Sequence, residues 1–547
     1  MPGIYKFGSF ELNARERTLL RDGVQVPLRL KAFETLRFLL ENAGHLVTKK
    51  ELLNEVWPDA AVEESNMNAA VYTVRKALGD EENGQCYIET VPRLGYRFRA
   101  QVQRKPQSVP ALDASATPEP EKCVAVLYFE NLSGEKEDEY FRDGMTEDVI
   151  TELAKIKDLR ILPRSAVHAF RDKSLPVTDI GQQLGTAFVL EGSIRRADRR
   201  IRITARLLGT GNGHAVWAQK YDRELEDVFA IQDEIAQSIA GALRVILSDA
   251  EKRAIEKVPT RDVQAYDYYL RGRQVIYQYR RKSMEYARQM FARAAVIDPS
   301  YAAAIGGVAD CSSFLYMYFD ATEDNLREAV TASQRAVQLD PESAEAHASR
   351  GLAVSLNKNY QEAQHEFDLA IQLNPDLFEA HYYRARAYVA EGNLAEAARA
   401  FEKAYAVNPD DYQAPSLAGT AYIGLGQESD ALASFRRGLA AAEKRLAVQP
   451  DDVRALYLCA VNLYRLGDRA RSLEWAAKAL AIEPNEPALL YNIACVHALH
   501  GEPEQAITFL EQALANGYGQ KEWIMHDPDL DSLRGLPRFE KLLKSLG

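Results

Sequence analysis

Residues Glu63–Phe98 read EESNMNAAVYTVRKALGDEENGQCYIETVPRLGYRF. At about 100° per residue, Met67, Val71, Val74 and Leu78 fall within about 60° of one another, which makes one narrow apolar stripe on a helix. Ser65, Ala69, Tyr72 and Lys76 stand opposite. An ordinary surface helix is heavily charged there. This outer face is slender, polar and mildly basic, which suits a helix lying in a DNA groove. Beyond it, Tyr87–Val91 and Gly95–Phe98 pair across Pro92-Arg93-Leu94 as a hairpin, with Tyr96 and Phe98 on one side and Arg97 and Arg99 on the other.

Upstream, alternation around Tyr5–Leu12, Thr18–Leu20 and Val24–Leu28, with Asp22-Gly23 as a turn, predicts short antiparallel strands. Phe33, Leu36, Leu39 and Leu40 predict a first helix ending near Gly44. Thr48-Lys49-Lys50-Glu51 is a capping-box pattern opening a second helix through Val56, stopped by Pro58. Helix, turn, helix and wing is the winged helix-turn-helix arrangement, in which the third helix enters the major groove and the wing reaches phosphates or the minor groove. Trp57, Met67, Val71, Val74 and Tyr96 are predicted core. Residues 1–104 hold 15 Lys+Arg against 14 Asp+Glu, but Arg93 to Arg104 contains four arginines and no acid. DNA binding would rest on that basic edge and be salt-sensitive.

The segments KKELLNEVWPD, VEESNMNAAVYTVRKALGD and YIETVPRLGYRF, behind four leading strands, resemble the OmpR/PhoB-type winged-helix output domain over about the first 100 residues. The resemblance implies that fold and a DNA-binding role. It places Ser65, Asn66, Ala69, Tyr72, Thr73 and Arg75 where the family's recognition helix meets DNA, and Thr90 at the wing; Asn68 and Lys76 on the helix and Arg93 and Arg97 on the wing complete the candidate DNA-binding set. The helix is poorer in arginine than many relatives. Arg93 stands one place beyond the usual wing arginine, where Pro92 is found.

A chain of 547 residues is too long for one core and predicts at least three domains. A net charge of −12 argues against indiscriminate coating of nucleic acid. Cys86, Cys123, Cys311, Cys459 and Cys495 are isolated, which predicts buried thiols in a reducing compartment. The sequence MPGIYKFGSF is no signal peptide, and no run of about 18 apolar residues occurs, so a cytoplasmic location is expected. No receiver domain precedes the DNA-binding unit, so control by phosphotransfer is not expected.

Residues 104–121, with Pro106, Pro110, Pro118 and Pro120 among small and polar residues, read as a tether after a first domain at 1–103. Residues 122–250 follow the order β-α-β-α-β-β-β-α, a mixed sheet with helices packed on it, the first helix amphipathic from Tyr140 to about Ile156. VAVLYFENLSG, YFRDGMTEDVITEL, LEGSIRR and WAQKYDREL resemble the TolB amino-terminal or FlgO-like domain, which implies a fold and protein binding, with no reaction. Gly209-Thr-Gly-Asn-Gly-His214 joins two strands. A phosphate loop would instead open a helix, so this is read as a hairpin turn. Arg200, Arg202 and Arg206 alternate with apolar residues on a solvated strand face beside Arg195, Arg196 and Arg199; an anionic ligand or a second DNA contact is the alternative.

Asp298-Pro299, Asp340-Pro341, Asn374-Pro375, Asn408-Pro409, Gln449-Pro450 and Glu483-Pro484 recur at intervals of 42, 34, 34, 41 and 34 residues. Within one unit Gly351, Ala363, Phe367 and Ala370 match Ala385, Ala397, Phe401 and Ala404 in the next. This is the tetratricopeptide pattern, about seven units over 258–518, followed by a capping helix at 519–547 with Leu536, Phe539 and Leu542 turned inward. Tyr382, Arg384, Arg386 and Tyr388 are candidates to line a concave, partner-binding face, with Tyr388 favoured for packing. His497 and His500 lack a third ligand, so no metal is expected.

No GxxxxGK[ST], HExxH, GxSxG or kinase signature occurs, so neither an enzyme nor a cofactor is expected. The fold class is a multidomain chain: an α+β winged helix, a small α/β domain, then an all-α repeat superhelix. The domain order is similar to that of soluble HilA-like and CadC-like regulators. It points to a one-component transcription regulator binding double-stranded DNA, with a protein or peptide partner on the repeats, no membrane and possible self-association. An interaction scaffold merely localised by its DNA-binding domain, and a small-ligand sensor at 122–250, are the alternatives.

Overall fold

The computed structural model describes residues 4–13, 18–21, 24–26, 28, 30–56, 64–79, 87–92, 94–100, 102–105, 122–133, 138–162, 167, 170–171, 175–197, 199–255 and 257–546. They fall in two compact units, Met1–Pro118 and Glu119–Gly547.

The first unit runs β1 (Ile4–Phe7), β2 (Phe10–Asn13), β3 (Thr18–Arg21), β4 (Val24–Gln25), α1 (Leu30–Glu41), β5 (Leu46–Thr48), α2 (Lys49–Val56), α3 (Glu64–Leu78), β6 (Ile88–Val91), β7 (Gly95–Phe98) and β8 (Gln103–Lys105). The alternating stretch Tyr5–Leu12 is a hairpin of two strands. Gly8 turns the chain at φ +53°, and a Cβ there would meet the Tyr87 hydroxyl. The leading sheet has the order β4-β3-β2-β1-β8. Gln103–Lys105 pair with Ile4–Lys6, so this sheet continues two residues into the segment expected as linker. Strand β1 has a free hydrogen-bonding edge there, and the chain returning from the wing fills it.

The wing is likewise one strand richer than the expected hairpin: β5 pairs with β7, giving the order β5-β7-β6. Gly95 makes this possible, because a Cβ at that position would overlap the Val47 carbonyl. Phe7, Phe10, Tyr87 and Phe98 pack edge to face or stacked at 5.2–5.8 Å and join the two sheets. Trp57 and Pro58 lie outside the described residues.

The second unit opens with β9 (Cys123–Val126), β10 (Glu130–Asn131), α4 (Glu139–Ala154), β11 (Arg160–Ile161), α5 (Val177–Leu184), β12 (Phe188–Ala197), β13 (Arg200–Gly209), β14 (Ala215–Glu224), α6 (Val228–Ala242) and α7 (Asp249–Ile255). Its sheet is mixed, β11-β9-β12-β13-β14, parallel through β11, β9 and β12 and antiparallel beyond. Gly209–His214 is the turn between β13 and β14. The exposed arginines beside it have cross-strand partners. Arg200 and Arg202 both meet Asp222, and Arg206 lies 2.7 Å from Glu191.

Seven helix pairs follow: α8 (Val263–Ile276) with α9 (Arg281–Ile297), α10 (Ala302–Tyr318) with α11 (Glu323–Leu339), α12 (Ala344–Leu356) with α13 (Tyr360–Leu373), α14 (Phe378–Glu391) with α15 (Leu394–Val407), α16 (Gln413–Gly424) with α17 (Glu428–Val448), α18 (Val453–Arg465) with α19 (Arg469–Ile482), and α20 (Pro487–Leu499) with α21 (Pro503–Ala515). Pairs of small residue and phenylalanine set the crossings. A Cβ on Gly351 would strike the Phe367 ring, and Gly419 meets Phe435 in the same way. At the repeat ends Asp298 and Asn374 close their helices in extended conformation, which the following proline imposes. The two long intervals are absorbed as longer helices, 17 residues each in α10 and α11 and 21 in α17.

The middle region is welded to the first repeat. An amphipathic α4 predicts one wet face, yet Tyr140 to Glu147 are all buried, because α8 covers the side turned from the sheet. Arg273 of α8 reaches Asp148 at 2.6 Å and Glu147 at 2.5 Å, and the Tyr266 hydroxyl donates to Asp148. Arg196 of β12 meets Asp267 at 3.0 Å.

At the far end α22 (Lys521–His526), a 3-10 turn (Pro528–Leu533) and α23 (Pro537–Ser545) complete the chain. Phe539 and Leu542 are buried and Leu536 packs beside them. The preceding tail crosses the inside of the array. Glu522 pairs with Lys358, His526 Nδ1 lies 3.1 Å from the Ala390 carbonyl, Asp529 pairs with Arg465, and Ser532 donates to the Ala498 carbonyl. The array curls until the Ala321 amide donates to the Gly517 carbonyl at 3.0 Å and Arg280 reaches Asp451 at 2.6 Å.

Candidate nucleic-acid interface

Three helices and the wing sheet position this face. In α1, Phe33, Leu36, Leu39 and Leu40 are buried. Arg37 on the same helix reaches Glu34 at 2.7 Å, Glu41 at 2.8 Å and Glu55 of α2 at 3.1 Å, which clamps the first two helices together. The capping box opening α2 is formed in both directions: the Thr48 amide donates to Glu51 at 2.8 Å and the Glu51 amide to Thr48 Oγ1 at 3.2 Å. Those hydrogen bonds, first among them the one from the Thr48 backbone, hold the Glu51 carboxyl below its ordinary range.

Helix α3 is anchored along the predicted stripe, with Met67, Val71, Val74 and Leu78 buried together with Ala70. Asn66, Asn68, Ala69 and Lys76 are exposed, and Tyr72, at 63% exposure, presents a large ring to solvent. Among the described residues no apolar packing accounts for that ring. Thr73 is half-buried, with its hydroxyl bonded back to the Ala69 carbonyl at 2.8 Å. Asn68 Oδ1 accepts from the Tyr96 hydroxyl at 2.7 Å, so this residue also fixes the helix against the wing.

Arg75 is turned toward the wing, where Nη2 donates to the Ile88 carbonyl at 2.8 Å and to Thr90 Oγ1 at 2.7 Å. The residue pattern carries no sign of this coupling; the thirteen-residue separation of Arg75 and Ile88 gives no periodic signal. Arg97 and Arg99 both approach Glu89, at 3.5 and 3.4 Å, with side chains 39% and 59% exposed. They carry charge on the wet face of the wing while Tyr96 and Phe98 fill the core. Arg93 and the Ser65 side chain lie outside the described residues.

A half-anchored helix with a polar outer face, pinned to a three-stranded wing, defines the first unit as a winged-helix domain of the OmpR/PhoB type. Residues 23–98 match the family described as "Transcriptional regulatory protein, C terminal". Residues 323–378, 378–411 and 416–487 match tetratricopeptide repeat families. Among curated proteins the chain is 41% identical over 245 residues to "Putative adenylate cyclase 3" of Rhizobium meliloti, a match spanning 44% of this chain and 42% of that protein. It is 22% identical over 363 residues to "Transcriptional regulator HilA" of Salmonella typhimurium, spanning 65% of this chain and 62% of that one. "Response regulator SaeR" of Staphylococcus epidermidis is 32% identical over 94 residues, 17% of this chain and 41% of that protein. The chain thus spans about two-fifths to three-fifths of the length of these relatives.

Among the described residues no helix is long and apolar enough to cross a membrane. Cys123, Cys311, Cys459 and Cys495 are free and buried; Cys86 lies outside the described residues.

Proposed function

We propose that this chain is a one-component, sequence-specific transcription regulator of the cytoplasm, in which residues 1–103 read double-stranded DNA. Beyond strand β8, residues 106–121 of the expected 104–121 linker act as tether, 122–250 as a TolB/FlgO-like support, 258–518 as the repeat array and 519–547 as its cap. The observation carrying this reading is the outer face of α3, where Asn66, Asn68, Ala69, Tyr72 and Lys76 are exposed beside a wing bearing Arg97. Asparagine and tyrosine can address base edges, while the lysine and arginines serve phosphates. Ser65, Thr73, Arg75, Thr90 and Arg93 complete the proposed set, with Arg75 and Thr90 orienting the wing.

The adenylate cyclase name belongs to a relative of which the chain covers 42%. We read this chain as a regulator that catalyses no reaction, since its recognisable signatures are those of a DNA reader and of repeats. A protein partner is proposed for the repeats, but the open concave groove expected for it is modified by the tail. Tyr382 and Arg386 are only 4% and 7% exposed, with Trp523 lying over Arg386. A peptide reaching Arg386 must first displace Trp523, whereas Tyr382 is packed against Phe378, Phe401 and Gln413 of the repeats themselves.

The test is selection of bound fragments from a random DNA pool with the full chain and with Tyr72→Ala. The expected result is one enriched sequence for the full chain and its loss or change in the variant. Equal enrichment of the same sequence by both proteins would overturn the assignment of α3 as reader.

A further inference from the structure

Inside the repeat array, a cavity that a water-sized sphere can explore over about 60 Å³ lies between α10, α14, α16, α18, α20 and the tail. Two guanidinium groups line it, Arg386 from α14 and Arg454 from α18, only 7% and 8% exposed. Each is held by neutral groups. Arg454 donates to Gln413 Oε1 and, at 2.9 Å, to the Tyr318 hydroxyl, and it stacks over Tyr318 at 4.2 Å. Arg386 lies 4.3 Å over the Trp523 ring and 5.3 Å over Tyr318, and its Nε is buried with no hydrogen-bond partner. Among the described residues neither arginine has a carboxylate within ion-pair distance.

Burying two cations without a paired carboxylate is strongly unfavourable, and Asp411 and Glu486 act on Arg454 through space without forming an ion pair with it. The cavity's own carboxylates do not fill that role. Asp529 is engaged with Arg465, and Asp527 accepts from the Tyr491 hydroxyl. Burial, and then Asp529, push the Asp527 carboxyl up to about 7, which weakens its negative charge near neutral pH. At Tyr318, burial raises the phenol, but Arg386 and Arg454 outweigh it and draw it below its ordinary value. The site is poised for an anion.

We propose that this cavity binds a small organic carboxylate, its two oxygens received by Arg386 and Arg454 and its body lying against Tyr457 and Trp523. Guanidinium pairs favour a planar carboxylate through parallel N–H···O bonds. The free space corresponds to about four waters, which admits on the order of four to six non-hydrogen atoms. Because Trp523 belongs to the tail and both arginines to the repeats, such a ligand bridges the two and favours the tail-in arrangement. The proposal is independent of DNA recognition and stands or falls without it.

The test is calorimetric titration of the full chain with acetate, lactate, pyruvate and glycine, and with inorganic phosphate for comparison. Trp523 fluorescence is followed in parallel, with Trp523→Phe identifying its signal. The expected result is saturable one-to-one binding of at least one carboxylate, a change in Trp523 emission, and affinity at least about tenfold weaker in Arg386→Gln. Val461→Phe, which fills the cavity while leaving both arginines, is expected to abolish binding and covers the case in which Arg386→Gln does not fold. Absence of saturable binding by any carboxylate to about 10 mM overturns the proposal, as does phosphate binding alone or binding unchanged in Val461→Phe.

Discussion

Arg75 and Thr90 are joined at 2.7 Å, and this contact, beside the bond from Arg75 to the Ile88 carbonyl, ties the proposed reading helix to the strand that leads into the wing. Fifteen residues separate them in sequence. The proposed reading helix and the wing are therefore coupled through Arg75 and, by the bond from Tyr96 to Asn68, through a second side chain.

Arg75→Ala and Tyr72→Ala should accordingly behave differently. Arg75→Ala removes bonds to Ile88 and Thr90, lowers the stability of the first unit by about 1–2 kcal/mol, and speeds amide exchange along Glu89–Val91. Tyr72, exposed and unpacked, leaves stability within about 0.5 kcal/mol when truncated while weakening DNA binding. Thermal denaturation alongside hydrogen exchange separates the two. Equal loss of stability in both variants would contradict this division of labour.

Gly95→Ala is expected to disrupt the wing. Its methyl group would overlap the Val47 carbonyl and the Thr48 Cα, both backbone atoms that cannot step aside. A destabilisation of at least about 2 kcal/mol and loss of protection at Leu46–Thr48 should follow, read by urea unfolding and amide exchange.

At the junction of the middle region with the repeats, Arg273→Met leaves Glu147 and Asp148 facing each other without their cation. Breaking a buried pair on one side costs about 3 kcal/mol or more. Replacing all three with apolar residues should recover much of that loss. Urea titration of the two variants tests the comparison, and a neutral Arg273→Met would show that the weld is made by the surrounding apolar contacts alone.

Asp310 supplies a pH signature. Burial raises its carboxyl from 3.8 to about 7, only partly offset by a hydrogen bond to Ser349. Between those values the unfolded chain has released this proton and the folded chain retains it. The contribution is fully present below about 4 and declines as pH rises toward 7. Relative to Asp310→Asn, the wild-type protein should therefore lose stability across pH 4 to 7 and level off above. A constant difference between the two denaturation curves over that range would disprove the assignment.

Periodic features are legible in the sequence itself. The stripe Met67, Val71, Val74 and Leu78 is buried, the capping box at Thr48 and Glu51 is formed, and Gly351 facing Phe367 marks a helix crossing. Each of these is a local rule, satisfied within one helix or one repeat. The features that the residue pattern does not announce depend on distant residues. Strand β5 exists because Gly95 lets two backbones approach, and β8 because β1 offers an edge. The tail from Lys521 to Leu533 has no repeat periodicity; its place is set by Arg386, Arg465 and Ala390, none nearer than 64 residues along the chain. The orientation of Arg75 belongs to the same class, since a helical wheel shows which way a side chain leaves the axis and not which partner it finds.

The bond from Ala321 to Gly517 changes what kind of object the repeat array is. An open stack of helix pairs can gain or shed a unit at either end and can melt piecemeal, because each unit touches only its neighbours. A loop closed between the second and seventh pairs has a fixed circumference. Inserting or deleting one 34-residue repeat between Arg386 and Asp451 would separate Arg280 from Asp451 and Trp523 from Arg386 at once. Variants of this chain with one repeat added or removed between Ala321 and Gly517 should therefore lose the closure as a whole, whereas changes confined to side chains and loops leave it standing.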